Sequence, residues 1–459
     1  MTTVQRRPSR RLLAGVGALC ALSALGELWA LAGPGSATRE IELLRQIWLA
    51  GGGLLLCTAL LDALAIRRLP APRLRRNLPD NLALHDWAPV GLELHWQAAP
   101  PGELWIFDAH PESAETEGLP LRVPSDTIAS ARSTARSTIG LEYRLRPLQR
   151  GDVHFGPAHL LASSPLGLWR FTSRCGEESS VRVYPNFAAV ERYGAMTLEQ
   201  DTAQVGIRLR QRRGEGLEFH QLREYRAGDA MRQIDWKATS RKQQLISREY
   251  QDERDQRVVF LLDCSRRMRA KDGDLSHFDH ALNAMILLSH VALRAGDAVG
   301  LMSFGDETRW LPASKGVGSV NRILNTVYDL ETTTLGSDFN GAAEELCARQ
   351  PRRSLVILLT NVRREDVGDL LPGVGLLKRR HLVLVANLRE EKIDEVLADE
   401  ITDFRDALRS FGTWRHELDR SRVQETLRHS GVLSLDSPPS ALHAQLINSY
   451  YAIKRSGAL

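Results

Sequence analysis

Three short runs hold the oxygen donors that could do chemistry. Asp263-Cys264-Ser265 follows the apolar run Val258 to Leu262, Ser337-Asp338 opens a stretch of helical spacing at Phe339, and Thr360-Asn361 follows the apolar run ending at Leu359. A carboxylate beside hydroxyls suits a hard divalent cation such as magnesium, which takes oxygen ligands in octahedral geometry. Asp263, Ser265 and Ser337 supply three such oxygens. The same residues can equally cap helices or bond across loops. A fourth run mixes charges of both signs with aromatic anchors: Glu218, Arg223, Tyr225, Gly228, Asp229, Arg232, Asp235 and Trp236. It suits an ion network bracing two domains, with Tyr225 and Trp236 packed on the α/β domain, or a docking face for another protein. Combined with Asp263, the carboxylates of Glu218, Asp229 and Asp235 would serve a metal-assisted hydrolase. No serine–histidine or cysteine–histidine pairing and no glycine-rich phosphate loop is present. Cys264 reads as a buried thiol. His277 and His280, one helical turn apart, lack a third ligand and read as surface residues.

The elements around these residues define the fold class. Val258-Val-Phe-Leu-Leu, Ala298 to Phe304, Leu355 to Leu359 and His381 to Ala386 are near-continuous apolar runs. Such runs mark strands covered on both faces, and helical stretches lie between them, as in a doubly wound parallel α/β sheet. Ligands bind such sheets beyond the carboxyl ends of the strands, where Asp263, Ser337 and Thr360 stand. Upstream, from about Leu78 to Tyr184, short alternating runs such as Val90 to Trp96 and Gly140 to Arg146 predict an antiparallel β-sandwich.

Leu12 to Gly33 and Ile47 to Ile66 are apolar apart from Glu27 and Asp62. Each approaches the roughly 20 residues that span a bilayer. Arg6, Arg7, Arg10 and Arg11 precede the first, and Arg67, Arg68, Arg73, Arg75 and Arg76 follow the second. The positive-inside bias places both ends, and the chain after them, in the cytoplasm. The alternative is a cleaved leader ending near Ala30-Leu-Ala32, with the second span as the anchor. The domains expected are thus a transmembrane hairpin over 1–70, a sandwich over 71–188, a linker over 189–256 and the α/β domain over 257–459. A net charge of +4 over 459 residues excludes a general nucleic-acid binder. Five unpaired, irregularly spaced cysteines exclude a disulfide framework.

The Asp263, Ser337 and Thr360 loops resemble the metal-ion-dependent adhesion site of von Willebrand factor A domains, whose pattern is Asp-x-Ser-x-Ser, then Thr, then Asp. Asp263 and Ser265 match its start, Ser337 replaces threonine, and Arg267 and Asn361 depart from it. The run Gly216 to Arg241 resembles the signature of the bacterial family DUF58 (domain of unknown function fifty-eight). Leu145 to Gly151, Ser164-Pro-Leu-Gly167-Leu-Trp, Val183-Tyr-Pro185 and Leu446 to Lys454 extend the likeness. What this resemblance implies is an inner-membrane protein with a von Willebrand A-like domain. Its role would be that of a non-enzymatic adaptor for an AAA+ ATPase of the MoxR class in maturing or assembling protein complexes.

Overall fold

The computed structural model describes residues 5–32, 38–67, 72–96, 103–128, 138–186, 218–226, 231, 234–251, 256–305, 307–316 and 318–458. They form two compact units, Met1–Val183 and Tyr184–Leu459.

The first unit opens with strand β1 (Gln5–Pro8) and helices α1 (Arg10–Ala32) and α2 (Thr38–Arg67). The two helices close on small residues. A Cβ on Gly15 would stand 3.1 Å from Leu55, and one on Gly51 would stand 3.3 Å from Leu19. Trp48 Nε1 donates to the Leu19 carbonyl at 3.0 Å. Among the described residues one stretch, Arg45–Ala65 of α2, is long and apolar enough to cross a membrane. The hairpin expected from the sequence is therefore a helix pair with one such span.

Eleven further strands follow: β2 (Arg73–Asn77), β3 (Asn81–Ala83), β4 (Ala88–His95), β5 (Leu104–Phe107), β6 (Ala114–Glu117), β7 (Leu121–Val123), β8 (Thr138–Pro147), β9 (Gly151–Phe155), β10 (Ala158–Ser163), β11 (Trp169–Cys175) and β12 (Ser179–Tyr184). They make three sheets, in the orders β1-β11-β10-β5-β7, β2-β4-β8-β6 and β3-β12-β9. Alternation along the strands buries one face. Val90, Leu92 and Leu94 point inward from β4, and Ala158, Leu160 and Ala162 from β10. The expected antiparallel pairing is present.

A buried ion pair ties these sheets together. Arg76 on β2 reaches Asp108, just after β5, through Nη2 at 2.5 Å and Nε at 2.9 Å. Tyr143 on β8 donates to the same carboxylate at 2.7 Å, and the Arg76 guanidinium lies over the Phe155 ring of β9. Every charge in the cluster has a partner, which is what makes its burial tolerable.

The second unit begins with a hairpin, β13 (Glu218–Glu224) paired with β14 (Ile246–Gln251), and helix α3 (Trp236–Lys242) lies between its strands in the chain. Then β15 (Arg257–Asp263), the two-residue strands β16 (Lys271–Asp272) and β17 (Leu275–Ser276), helix α4 (His277–Arg294), β18 (Ala298–Phe304), β19 (Trp310–Ser314), α5 (Gly318–Val327), α6 (Phe339–Arg349), β20 (Leu355–Thr360), α7 (Val367–Lys378), β21 (Leu382–Leu388), α8 (Glu391–Ala398), α9 (Phe404–His429), β22 (Leu433–Ser437) and α10 (Pro439–Ser456) follow. The main sheet runs β19-β18-β15-β20-β21-β22, parallel except for the antiparallel edge strand β19.

Its apolar runs serve both faces. Val258, Phe260 and Leu262 pack with α4, α5 and α10. Val259 and Leu261 pack with α6, α7 and the end of α9. This is the doubly wound parallel α/β arrangement that continuous apolar strands predict. From β15 the chain winds first to β18 and later to β20 on the other side. The strand order therefore reverses between β15 and β20.

Candidate functional site at the carboxyl ends of the parallel strands

Asp263 ends β15 and Thr360 ends β20, so both stand where the order reverses, the usual ligand position of such sheets. The three donors selected from the sequence converge there. Ser337 Oγ lies 3.0 Å from Asp263 Oδ2 and 2.8 Å from Ser265 Oγ. Thr360 Oγ1 donates to Asp263 Oδ2 at 2.6 Å, and the Ser265 N–H donates to Oδ1 at 2.9 Å. Backbone bonds fix the loops: Thr333 N–H to the Cys264 carbonyl at 2.7 Å, and Arg266 N–H to the Leu335 carbonyl at 2.9 Å. Gly305, at φ 121°, lies against them. A Cβ on it would stand 3.1 Å from the Cys264 and Ser265 backbone, so the close approach needs glycine.

Asp263, Ser265 and Thr360 are fully buried. Burial raises the Asp263 carboxyl above its ordinary range, and the bonds from Thr360, Ser265 and Ser337 offset part of this.

The two departures from the adhesion-site pattern have clear destinations. Arg267 turns to the loop after β20 and grips Asp366, Nε to Oδ2 at 2.7 Å and Nη2 to Oδ1 at 3.1 Å. Asn361 donates from Nδ2 to Glu390 at 3.1 Å and to His277 Nδ1 at 3.2 Å. His277 Nε2 lies 2.7 Å from Asp272, which assigns its proton to that nitrogen. The expectation that His277 is a surface residue is thus corrected. It is fully buried because Asp272 and Asn361 satisfy both ring nitrogens.

This donor set does not fit a magnesium ion. It offers one carboxylate, already accepting from Ser265, Ser337 and Thr360, with the neutral Asn361 where the adhesion-site pattern has a second acid. Among the described residues no group of three histidine, cysteine or acidic side chains is placed to hold a metal.

Sequence reasoning missed the neighbouring polar layer at the ends of β21 and β22. Asn387 Oδ1 accepts from the Val362 N–H at 2.7 Å, and its amide donates to Asp436 at 3.0 Å. Arg420, buried in α9, donates to Asp436 at 2.5 Å and to the Leu388 carbonyl at 2.7 Å. Arg363 meets Glu390 at 2.8 Å. Burial alone would raise the Glu390 carboxyl. Its own backbone N–H, the Asn361 amide and the Arg420 and Arg363 guanidiniums overturn that and hold it at about 2. A cleft of about 190 Å³ opens beside this layer, lined by Arg363, Arg364, His416 and Arg420 among others. The strand-end rule points to Asn387 and Glu390. Nothing in the sequence marks Arg420, one arginine among several on a polar helix.

The described signature residues lie on the hairpin or on α3. Glu218 opens β13 opposite Gln251. Arg223 Nη1 donates to the Glu224 carbonyl at 3.1 Å, and the Tyr225 N–H donates to the Leu245 carbonyl at 2.9 Å. Asp235 caps α3, accepting from the N–H groups of Lys237 and Ala238 at 3.0 Å each. Gly228, Asp229 and Arg232 lie outside the described residues. Trp236 is 68% exposed, which corrects the expectation that it packs on the α/β domain. It stands at the first position of a helix none of whose residues is buried.

Two other stretches singled out in the sequence hold structural bonds. Tyr450 Oη donates to the buried Asp297 at 2.5 Å, and Lys454 Nζ reaches both Asp297 oxygens at 2.8 and 2.9 Å. The loop from Ser164 to Trp169 binds the helix pair. Asp62 of α2 accepts from Ser164 Oγ at 2.5 Å and from the Leu166 and Leu168 N–H groups at 3.0 and 3.2 Å. Ser9, just before α1, donates from Oγ to the Gly167 carbonyl at 2.6 Å. Asp62 is therefore a buried acceptor inside the first unit.

The fold and the site thus define a chain of mixed α/β structure whose strand-end polar cluster is bonded to itself. Residues 221–428 match the family described as "Protein of unknown function DUF58". The chain is also similar to "Uncharacterized protein YeaD" of Bacillus subtilis (strain 168), 22% identical over 243 residues. That match covers 50% of this chain and 56% of the relative, so it spans little more than half of the relative's length. Among solved structures, proximal thread matrix protein 1 of the mussel byssus aligns over 43% of this chain and 46% of its own, at 10% identity and a TM-score of 0.25. A CARDB domain from Pyrococcus furiosus aligns over 25% of this chain and 90% of its own, at 10% identity and a TM-score of 0.15. Scores this low establish no shared fold.

Proposed function

We propose that this chain is a membrane-anchored, non-enzymatic interaction protein that works with a MoxR-type AAA+ ATPase in maturing or assembling protein complexes. The observation that carries the reading is the Asp263 cluster, a strand-end site resembling that of von Willebrand A domains, whose single carboxylate is satisfied by the chain's own hydroxyl and N–H groups. These bonds hold the three loops together at one edge of the sheet, a fixed surface suited to recognition of another protein. A hydrolase would gather Asp235 with Asp263 around a cation, whereas Asp235 is committed to capping α3. The apolar stretch Arg45–Ala65 and the arginines at both ends of the helix pair support a two-pass anchor with both units in the cytoplasm.

The test is co-purification from detergent of the full chain with a MoxR-type AAA+ ATPase of the same organism, with and without ATP. The reading predicts a stable or ATP-dependent complex. Separate elution under both conditions contradicts it.

A further inference from the structure

Among the described residues, an apolar seam on α9 is left without cover. Ile401, just before the helix, and Phe404, Leu408, Phe411, Trp414 and Leu418 along it are all exposed, Phe404 by 78%. The helix enters the core only from Arg420 onward, through Val423 and Leu427. Phe404, Leu408, Phe411, Arg415 and Leu418 follow one another in alternating steps of four and three residues, the a/d spacing of a coiled coil with one arginine in the seam, and Ile401 extends the apolar patch ahead of the N-cap Asp403. Gly412 lies beside it, and a Cβ there would meet nothing within 4 Å, which leaves room for another helix. Soluble surfaces rarely leave an apolar stripe of this extent uncovered.

We propose that the α9 seam pairs with the same seam of a second copy of this chain, antiparallel about a two-fold axis near Arg409. Charge selects both the occupant and the direction. Asp399, Glu400, Asp403 and Asp406 surround the Ile401–Phe404 end. An anionic bilayer surface, which attracts clustered lysine and arginine, disfavours that end. In a parallel pair Arg415 would meet Arg415. In the antiparallel pair each a position meets a d position, so Leu408 meets Phe411 and Phe404 meets Arg415. Arg415 then falls on the face of the Phe404 ring, a favourable cation–π geometry. The acidic 399–406 end of each helix also comes beside Arg415 and Arg422 of the other. An isologous two-fold contact of this kind closes on itself as a dimer. It stands independently of the ATPase reading.

The test uses the full chain in native membranes. Cys20, Cys57 and Cys347, the cysteines that are not buried, are first replaced by alanine. Phe411→Cys is then treated with a short bis-maleimide, and Thr413→Cys, on the opposite side of α9, is the control. The pairing predicts a cross-linked species of twice the monomer mass from position 411, several-fold stronger than from 413. Adding Phe404→Asp, at an exposed position, should abolish it. Equal yields at 411 and 413, or a 411 product unchanged by Phe404→Asp, overturns the proposal.

Discussion

Glu390 shows how one side chain turns burial into stability. Its carboxyl is held at about 2 against an ordinary 4.5, with the side chain 15% exposed. A carboxyl depressed on folding contributes stability above its unfolded pKa and loses it as pH falls through the folded value. Glu390 therefore contributes fully at neutral pH, by up to about 3 kcal/mol, and progressively less from about pH 4.5 towards 2. Glu390→Gln should lower the thermal midpoint at pH 7, read from tryptophan fluorescence. Its gap from wild type should narrow as the pH is taken below 4.5. A gap that stays constant with pH would show that the Asn361, Arg363 and Arg420 contacts do not act through the carboxylate charge. The same layer takes up the two departures from the adhesion-site pattern: the Asn361 amide donates to Glu390 and His277 while its Oδ1 stays buried without a partner among the described residues, and Arg267 pairs with Asp366.

Among the elements, the Ser164–Trp169 loop matters most, because it receives both ends of the helix pair through Ser9 and Asp62. Asp62→Ala leaves the Ser164 hydroxyl and the Leu166 and Leu168 N–H groups without their acceptor, at about 1–3 kcal/mol for each group that stays buried. Limited proteolysis within this loop should become several-fold faster in the variant. An unchanged cleavage rate would mean that Asp62 does not hold the loop. The two helices, the alternating strands and the continuous apolar runs of the α/β sheet were all legible, because period and length alone define them. The convergence of Asp263, Ser265 and Ser337 was legible too, since strand ends collect at one edge of a parallel sheet. The role of Asp62 was not, because an acid in an apolar run reads as a membrane residue until its partner, a hundred residues away, is known. Trp236 and His277 failed in opposite directions for a related reason. Side-chain burial depends on tertiary neighbours that local pattern does not encode.

At the scale of the whole molecule, the account rests on which side of the membrane the folded units occupy. Ser9 and Asp62 bond to the same loop, so the start of α1 and the last turns of α2 lie together beside the sheets of the first unit. That placement agrees with two crossings and with arginines gathered on one side of the bilayer. The proposed function requires the Asp263 cluster, the hairpin and α9 on that side as well. Protease treatment of intact and permeabilised spheroplasts, followed with an antibody to the α/β unit, measures this directly. The account predicts that the unit survives in intact spheroplasts and is digested once they are opened. Digestion before permeabilisation would contradict it.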